Sequence, residues 1–336
     1  DWQPGFYSIT FSVAATSGYT GLTKTLTVNV TDPNEEIGEV TIDKKWGYIT
    51  KPADNEYILV FTNHTATAMQ WTAPAALQNV QFLVVGGGGG GGADGRSTTA
   101  GAGGTGGAGG GGGGVVTGLV NFAKGSVISV AVGKGGSGGK KGVKTRNITF
   151  VGNDEKTHTA YGDSGKAGDS SFSVGGNVYV KAYAGGGDLG AKNNTDSISN
   201  CPEDGGSGSG ARWKYRYKDN TTQGMATKGY ALTDTSLIPY YKTFGNPGGL
   251  NTYNYVAGGG GGATAKGGDT YYKTVTTTHC GKQEERYAGD GGEGLKSSIT
   301  GTAVVYGSGG GGGGQRRISS GALCGVRGDR WRGKHP

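Results

Sequence analysis

The chain has 336 residues, 75 of them glycine, and only 33% are hydrophobic. These figures exclude a conventional large apolar core. No apolar run approaches the roughly 18–20 residues of a membrane span, and glycine at about a fifth of the chain lacks the one-third share and strict period of collagen. The net charge of +7 is uneven, because the tail 315–336 carries Arg316, Arg317, Arg327, Arg330, Arg332 and Lys334 against Asp329. Such a tail can attract anions nonspecifically, with a solvated terminus as the simpler reading, and no specific nucleic-acid reader is implied.

Residues 1–36 read as half-buried antiparallel strands. Tyr7, Ile9, Phe11 and Val13 alternate with polar residues, as do Leu26, Val28 and Val30, and Gly18-Tyr19-Thr20-Gly21 supplies turn material. Period two is the strand signature. The first residue is Asp1, with no signal peptide before it, so the chain reads as a processed product or a piece of a longer one. Further strands are expected at 40–42, 57–61, 68–71 and 80–85, and Pro74 stops the third because it lacks a ladder donor.

The run 80–85 ends in seven consecutive glycines, 86–92. The same grammar returns at 109–114, 258–262 and 309–314, with a shorter echo at 185–187 after 178–183. A flexible linker is one reading of poly-Gly, yet these runs lack serine and abut apolar strands. The other reading is a set of polyproline-II-like rods, about 3 residues per turn, without internal hydrogen bonds. Their outward amides need neighbours, and bare backbones can pack closely enough to supply them. Residues 127–132 form another expected strand. The stretch 146–257 is less regular and rich in Thr, Asn, Lys and aromatics. Residues 258–314 return to glycine, with Tyr271-Tyr272 and 303–306 between the runs. No stretch shows helical periodicity, so the expected class is all-β.

Enzymatic motifs are weak. A dinucleotide-binding turn requires a helix straight after its glycines, but Ala93-Asp94-Gly95-Arg96 and more glycine come after 86–92. Gly139-Lys140 is followed by Lys141, so the phosphate-loop pattern fails. His64, His158, His279 and His335 are far apart, without metal spacing. Asp290-Gly291-Gly292-Glu293 has no calcium-loop spacing, and Arg327-Gly328-Asp329 is best read as chance. No catalytic residue, cofactor or metal is expected. Three cysteines, Cys201, Cys280 and Cys324, allow one disulfide; Cys201–Cys280 is the candidate pair and Cys324 the candidate intermolecular thiol. Sequons at Asn29, Asn63, Asn147, Asn193 and Asn220 are candidate glycan sites in a glycosylating context. The aromatics Trp213, Tyr215, Tyr217, Tyr240, Tyr241, Tyr253 and Tyr255 form the candidate recognition surface. They suit sugar stacking, subunit contact or capping of the sheets.

Two resemblances add to this. The stretch 5–32 resembles the last strands of immunoglobulin- or cadherin-like repeats of bacteria, only about a third of a sandwich of about 100 residues. Trp71-Thr72-Ala73-Pro74, then 80–92, then 129–139 (SVAVGKGGSGG) resemble the glycine-rich domain of bacterial surface proteins and phage tail-tip adhesins over roughly 57–314. The resemblance implies a jelly-roll-like β-sandwich with packed polyglycine-II helices, in which rods are scaffold and intervening loops bind. The Arg-rich end departs from the apolar closing strand common in that family.

The expected organisation is partial immunoglobulin-like strands at 1–36, able to complete a neighbour's sheet by strand addition; a glycine-rich domain at 37–314 with an aromatic-rich insertion at 146–257; and a basic tail at 315–336. The expected function is a non-enzymatic extracellular structural protein, a self-associating subunit of a surface filament or fibre. The alternative is a phage or bacterial adhesin that binds a host receptor or glycan through aromatic loops. Expected partners are further copies of the chain and a surface glycan or receptor, at a cell surface or a virion tip.

Overall fold

The computed structural model describes residues 5–13, 22–30, 40–53, 56–65, 69–92, 106–139, 146–151, 157–162, 167–188, 203–211, 224–232, 236–252, 256–277 and 281–314. These residues form strands and extended segments without a helix. In chain order the strands are β1 (Gly5–Val13), β2 (Leu22–Val30), β3 (Gly47–Ala53), β4 (Glu56–Phe61), β5 (Met69–Thr72), β6 (Leu77–Val85), β7 (Val115–Phe122), β8 (Val127–Ala131) and β9 (Arg146–Val151). Then come β10 (Thr157–Gly162), β11 (Ser170–Val174), β12 (Asn177–Ala182), β13 (Gly229–Ala231), β14 (Tyr240–Phe244), β15 (Tyr271–Thr277), β16 (Gly281–Tyr287), β17 (Leu295–Ser297) and β18 (Val304–Tyr306).

Two antiparallel sheets make a sandwich. One has the order β13-β12-β11-β8-β5 and the other β14-β7-β6. Alternation along β7 directs Val116, Val120 and Phe122 inward, where they meet Phe82, Ile128, Phe172, Val180 and Ile238. The aromatics interlock edge to face, Phe82 with Phe172 at 5.4 Å and Phe122 with Phe172 at 6.4 Å, the arrangement favoured by ring quadrupoles. The remaining strands pair as hairpins: β1–β2, β3–β4, β9–β10, β15–β16 and β17–β18.

The strands of the sandwich continue into glycine segments, and these form a second body with a different grammar. Segment 86–92 bonds four neighbours, Gly168 through the Gly87 amide and three others whose bonds recur at every third residue. The amides of Gly86, Gly89 and Gly92 donate to the carbonyls of Gly114, Gly111 and Ala108. Gly88 and Gly91 accept from Gly136 and Gly139, and Gly87 and Gly90 accept from Gly185 and Asp188. A sheet strand has two neighbours in one plane; a period of three spreads the bonds around the axis. Segment 106–114 lies at the centre, bonded to 86–92, 183–186, 207–210, 258–261 and 310–313.

Segment 257–262 shows the bonding in full. Its amides donate in turn to Gly313, Ala211, Gly268, Gly310, Gly208 and Ala265. Its carbonyls accept from Gly289, Gly109, Gly249, Gly292 and Gly112, and that of Gly262 from the Asn246 side chain. Every peptide group of this buried segment is therefore paired, as burial demands. The approach is too close for a side chain: a Cβ on Gly260 would run into the carbonyl oxygen of Gly110, and one on Gly261 into that of Asn246.

Ordering a residue costs about 1–2 kcal/mol, while a peptide hydrogen bond returns about 1 kcal/mol net. At one bond per residue the hydrogen bonds offset only part of that cost. The sandwich lowers it, because its strands deliver the glycine segments already aligned and tethered at one end.

One sequence expectation is corrected. Residues 40–42 carry no strand; Asp43 instead opens a turn, its Oδ1 accepting the Lys45 amide at 3.0 Å. The less regular stretch 146–257 supplies β9 to β14 and the segments 183–188, 203–211 and 245–250.

Candidate functional site

The glycine lattice fixes where the intervening segments leave it. The turns 123–126 and 175–176 close the sandwich at one end, and the lattice extends from the other. The flanks of 93–105, 189–202, 212–223 and 253–255 all sit at the end of the lattice remote from the sandwich. Gly92 bonds Ala108, Asp188 bonds Gly90, and Gly224 bonds Ser209. The flank of 253–255 is the most built. The Asn251 side chain, buried, donates to the Val256 carbonyl at 2.7 Å and accepts from the Thr270 hydroxyl at 3.3 Å. The Thr252 amide donates to Thr270 Oγ1 at 2.9 Å. Thr270 leads directly into β15, so Tyr271 and Tyr272 stand beside this clamp.

The β15–β16 hairpin carries the best-defined aromatic surface at that end. Its register sets Tyr271 opposite Tyr287 and Lys273 opposite Glu285, and opposite residues share a face. The two tyrosine rings stack with centroids 4.9 Å apart and planes 6° apart. Lys273 Nζ lies 5.8 Å and 5.5 Å from the two rings, within cation–π reach. Tyr287 Oη donates to Glu285 Oε2 at 2.6 Å, and Glu285 is buried. Tyr271 remains 44% exposed and Tyr272 46%. The result is a partly exposed pair of flat rings with an ammonium and a fixed carboxylate beside them. Sequence alone gives Tyr271-Tyr272 no role. The matching spacing of Tyr271-x-Lys273 and Glu285-x-Tyr287 is the signal that could have found them.

The other predicted residues divide. Trp213, Tyr215, Tyr217, Tyr253, Tyr255, Cys201, Cys280, Cys324, Asn193 and Asn220 lie outside the described residues. Tyr240 and Tyr241 are on β14, in the sandwich and away from the remote end. They separate by strand alternation: Tyr240 is exposed, and Tyr241 packs on the core. Lys242 lies 5.8 Å from the Tyr240 ring, and its hydrogen bond to Tyr240 raises the lysine above its ordinary range.

Among the sequons, Asn29 stands opposite Phe6 in β1–β2 and Asn147 opposite Tyr161 in β9–β10. Asn63 is half-buried and employed: its Nδ2 donates to the Lys45 carbonyl at 2.9 Å, and its Oδ1 accepts the Thr65 hydroxyl at 2.7 Å. Among the described residues no three His, Cys, Asp or Glu side chains gather as a metal site. No described helix is long and apolar enough to cross a membrane.

Asp188 is the one acid buried inside the lattice among the described residues. Its Oδ2 accepts the Ala108 amide at 2.9 Å, and the missing side chain of Gly92 makes its space. It caps the end of a glycine segment.

No curated protein and no solved structure matches the chain. A family model described as a glycine-rich domain matches residues 62–330, a span that covers the sandwich, the lattice and the β15–β16 face alike, and the chain belongs to that family.

Proposed function

We propose that this chain is a non-enzymatic extracellular recognition protein, an adhesin in which glycine rods of polyglycine-II type hold a set of binding segments at one end. One observation carries the reading: the flanks of four intervening segments gather at the lattice end remote from the sandwich, next to the stacked Tyr271 and Tyr287. Loops placed by a rigid scaffold are where binding residues concentrate. The rods contribute stiffness and spacing, and a lattice without side chains leaves little else for them to do. The ligand class is a surface glycan or receptor with exposed sugar or apolar edges, engaged by Tyr271, Tyr272 and the aromatics of 212–223 and 253–255.

The experiment compares wild type with two variants, Tyr271→Ala/Tyr272→Ala and Tyr253→Ser/Tyr255→Ser, for binding to whole cells and to immobilised glycans. Loss of binding with an unchanged unfolding temperature supports recognition. Unchanged binding in both variants, together with loss of a polymer, refutes it.

A second reading is a self-associating subunit of a surface filament. It is favoured by the β1–β2 hairpin, which pairs over its whole length and joins no third strand among the described residues. A two-stranded ribbon is marginal in water, and both its edges can accept a strand. Electron microscopy of the native protein and of a variant lacking 1–36 decides this: filaments lost on deletion support it, and monomers in both cases remove it.

A further inference from the structure

We infer that a cleft on the side of the sandwich, between the turn at 43–46 and the edge strand β5, is a binding site for a neutral saccharide. The cleft encloses about 320 Å³ and presents two indoles, Trp46 and Trp71, among Thr41, Asp43, Gln70 and Thr72. This site is separate from the remote end of the lattice and does not depend on the recognition proposed there.

The backbone that carries Trp46 and the ring of Trp71 are held before any ligand arrives. The Trp46 amide donates to the Asp43 carbonyl at 2.8 Å, and the Trp46 carbonyl accepts the amides of Thr62 and Asn63 at 3.0 and 3.2 Å. The Asn63 side chain pins the Lys45 carbonyl from the same direction. Trp71 stands edge-on to Phe122 at 6.1 Å, so the core fixes its ring while part of it stays open to the cleft. Preorganised aromatic walls lose little freedom on binding.

The lining chemistry selects the ligand. A pyranose has apolar C–H faces that suit an indole and a rim of hydroxyls that needs both donors and acceptors. Here a carboxylate, a carboxamide and two hydroxyls supply them. An anionic ligand finds no cation in the lining, because the nearby ammonium of Lys45 is already paired, 2.7 Å from Asp43 Oδ2 and 5.6 Å from the Trp46 ring. An added peptide strand is also disfavoured. β5 is four residues long, and Pro74 stands two residues after its end; short, proline-bounded edges resist strand addition.

The test uses the full chain on an array of neutral and acidic glycans, followed by titration of cellotriose, maltotriose and chitotriose with tryptophan fluorescence as the readout. At least one neutral glycan is expected to bind and shift the fluorescence. Trp46→Ala and Gln70→Ala should each weaken that binding about tenfold or more, whereas Trp46→Phe should retain most of it. Lys296→Ala, an exposed position of β17 that belongs to neither proposed site, should leave it unchanged. The conservative variant and Gln70→Ala keep the result interpretable if Trp46→Ala folds poorly. The inference is overturned if no neutral glycan binds, if only acidic glycans bind, or if binding survives both Trp46→Ala and Gln70→Ala. It is also overturned if Trp46→Phe changes the sedimentation of the chain without sugar, which would make the cleft a protein interface.

Discussion

Replacing Gly260 by alanine tests the lattice directly. The new Cβ would occupy the position of the Gly110 carbonyl oxygen, and that oxygen cannot retreat without moving the central segment 106–114. That segment holds 257–262 through Gly109 to Gly258 at 3.2 Å and Gly112 to Gly261 at 2.9 Å. Each interrupted bond strands buried peptide groups at about 1–3 kcal/mol, so losing the pair costs about 2–6 kcal/mol. Overpacking in cores independently costs about 1–3 kcal/mol, and more where backbone must shift. A central value of about 4 kcal/mol is a large part of a total stability of about 5–15 kcal/mol. At roughly 2–4 °C per kcal/mol the unfolding temperature should fall by about 10 °C. The control is Gly311→Ala. Gly311 is exposed, and the nearest atom to its added Cβ, the Gly291 nitrogen, is 4.0 Å away. There alanine removes unfolded-state freedom and should be neutral or stabilising by up to about 1 kcal/mol. Thermal and urea unfolding of the two variants beside wild type gives the answer. Equal shifts for both, or a Gly260→Ala change under about 0.5 kcal/mol, would refute the claim that contact between bare backbones holds the lattice.

Asp188→Ala removes a buried acceptor from the Ala108 amide and opens the space beside Gly92. It should cost about 1–3 kcal/mol, read as a lowered urea midpoint, and Asp188→Asn should recover part of the loss. Alkaline pH should weaken the sandwich edge through Lys181. The hydrogen bond of its ammonium to Asp169, 2.8 Å, raises the lysine above its ordinary range. Stability from this pair is therefore full below the unfolded value of about 10.4 and is lost as pH rises through the folded one. Because both side chains are about a third exposed, the effect should stay within about 1 kcal/mol. Urea midpoints, compared between about pH 8 and about pH 11 to bracket that range, should fall further for wild type than for Lys181→Met; an equal fall in both would remove the pair from the account.

Much of the strand framework is legible because period two survives in the sequence. The expected strands 57–61, 68–71, 80–85 and 127–132 lie within a residue or a few of β4, β5, β6 and β8. β7 escapes sequence reasoning, although it lies at the centre of its sheet. Gly118 breaks its apolar pattern, and the structure explains the break: a Cβ there would meet the Tyr240 carbonyl oxygen of the neighbouring strand. The partners of each glycine segment are beyond reach for a different reason. A residue without a side chain carries no address, so nothing in 257–262 says that it will meet 207–211 rather than 183–188. The flanking strands make that choice at long range. The polar residues that edit the lattice are hidden by the same distance, since Asp188 meets Ala108 across 80 positions. The site is half legible. Aromatic abundance groups Tyr240 with Tyr241, where alternation along β14 separates an exposed ring from one packed on the core.

The lattice also separates two demands that ordinary folds combine. Interior glycines such as Gly260 tolerate no side chain, so the stand is fixed at the level of single atoms. The segments that leave its remote end depart and return at flanks closed by bonds such as Gly224 to Ser209 and Asn251 to Val256. Between such closed flanks, doubling the length of a segment adds only about 0.6 kcal/mol of closure entropy. A sandwich needs its loops to turn strands tightly; here the glycine lattice carries the flanks of these segments away from the sandwich core. If the remote end is the recognition surface, its specificity can change through 212–223 or 253–255 without disturbing Phe172 or Val116. The same substitutions made inside 106–114 would unfold the stand.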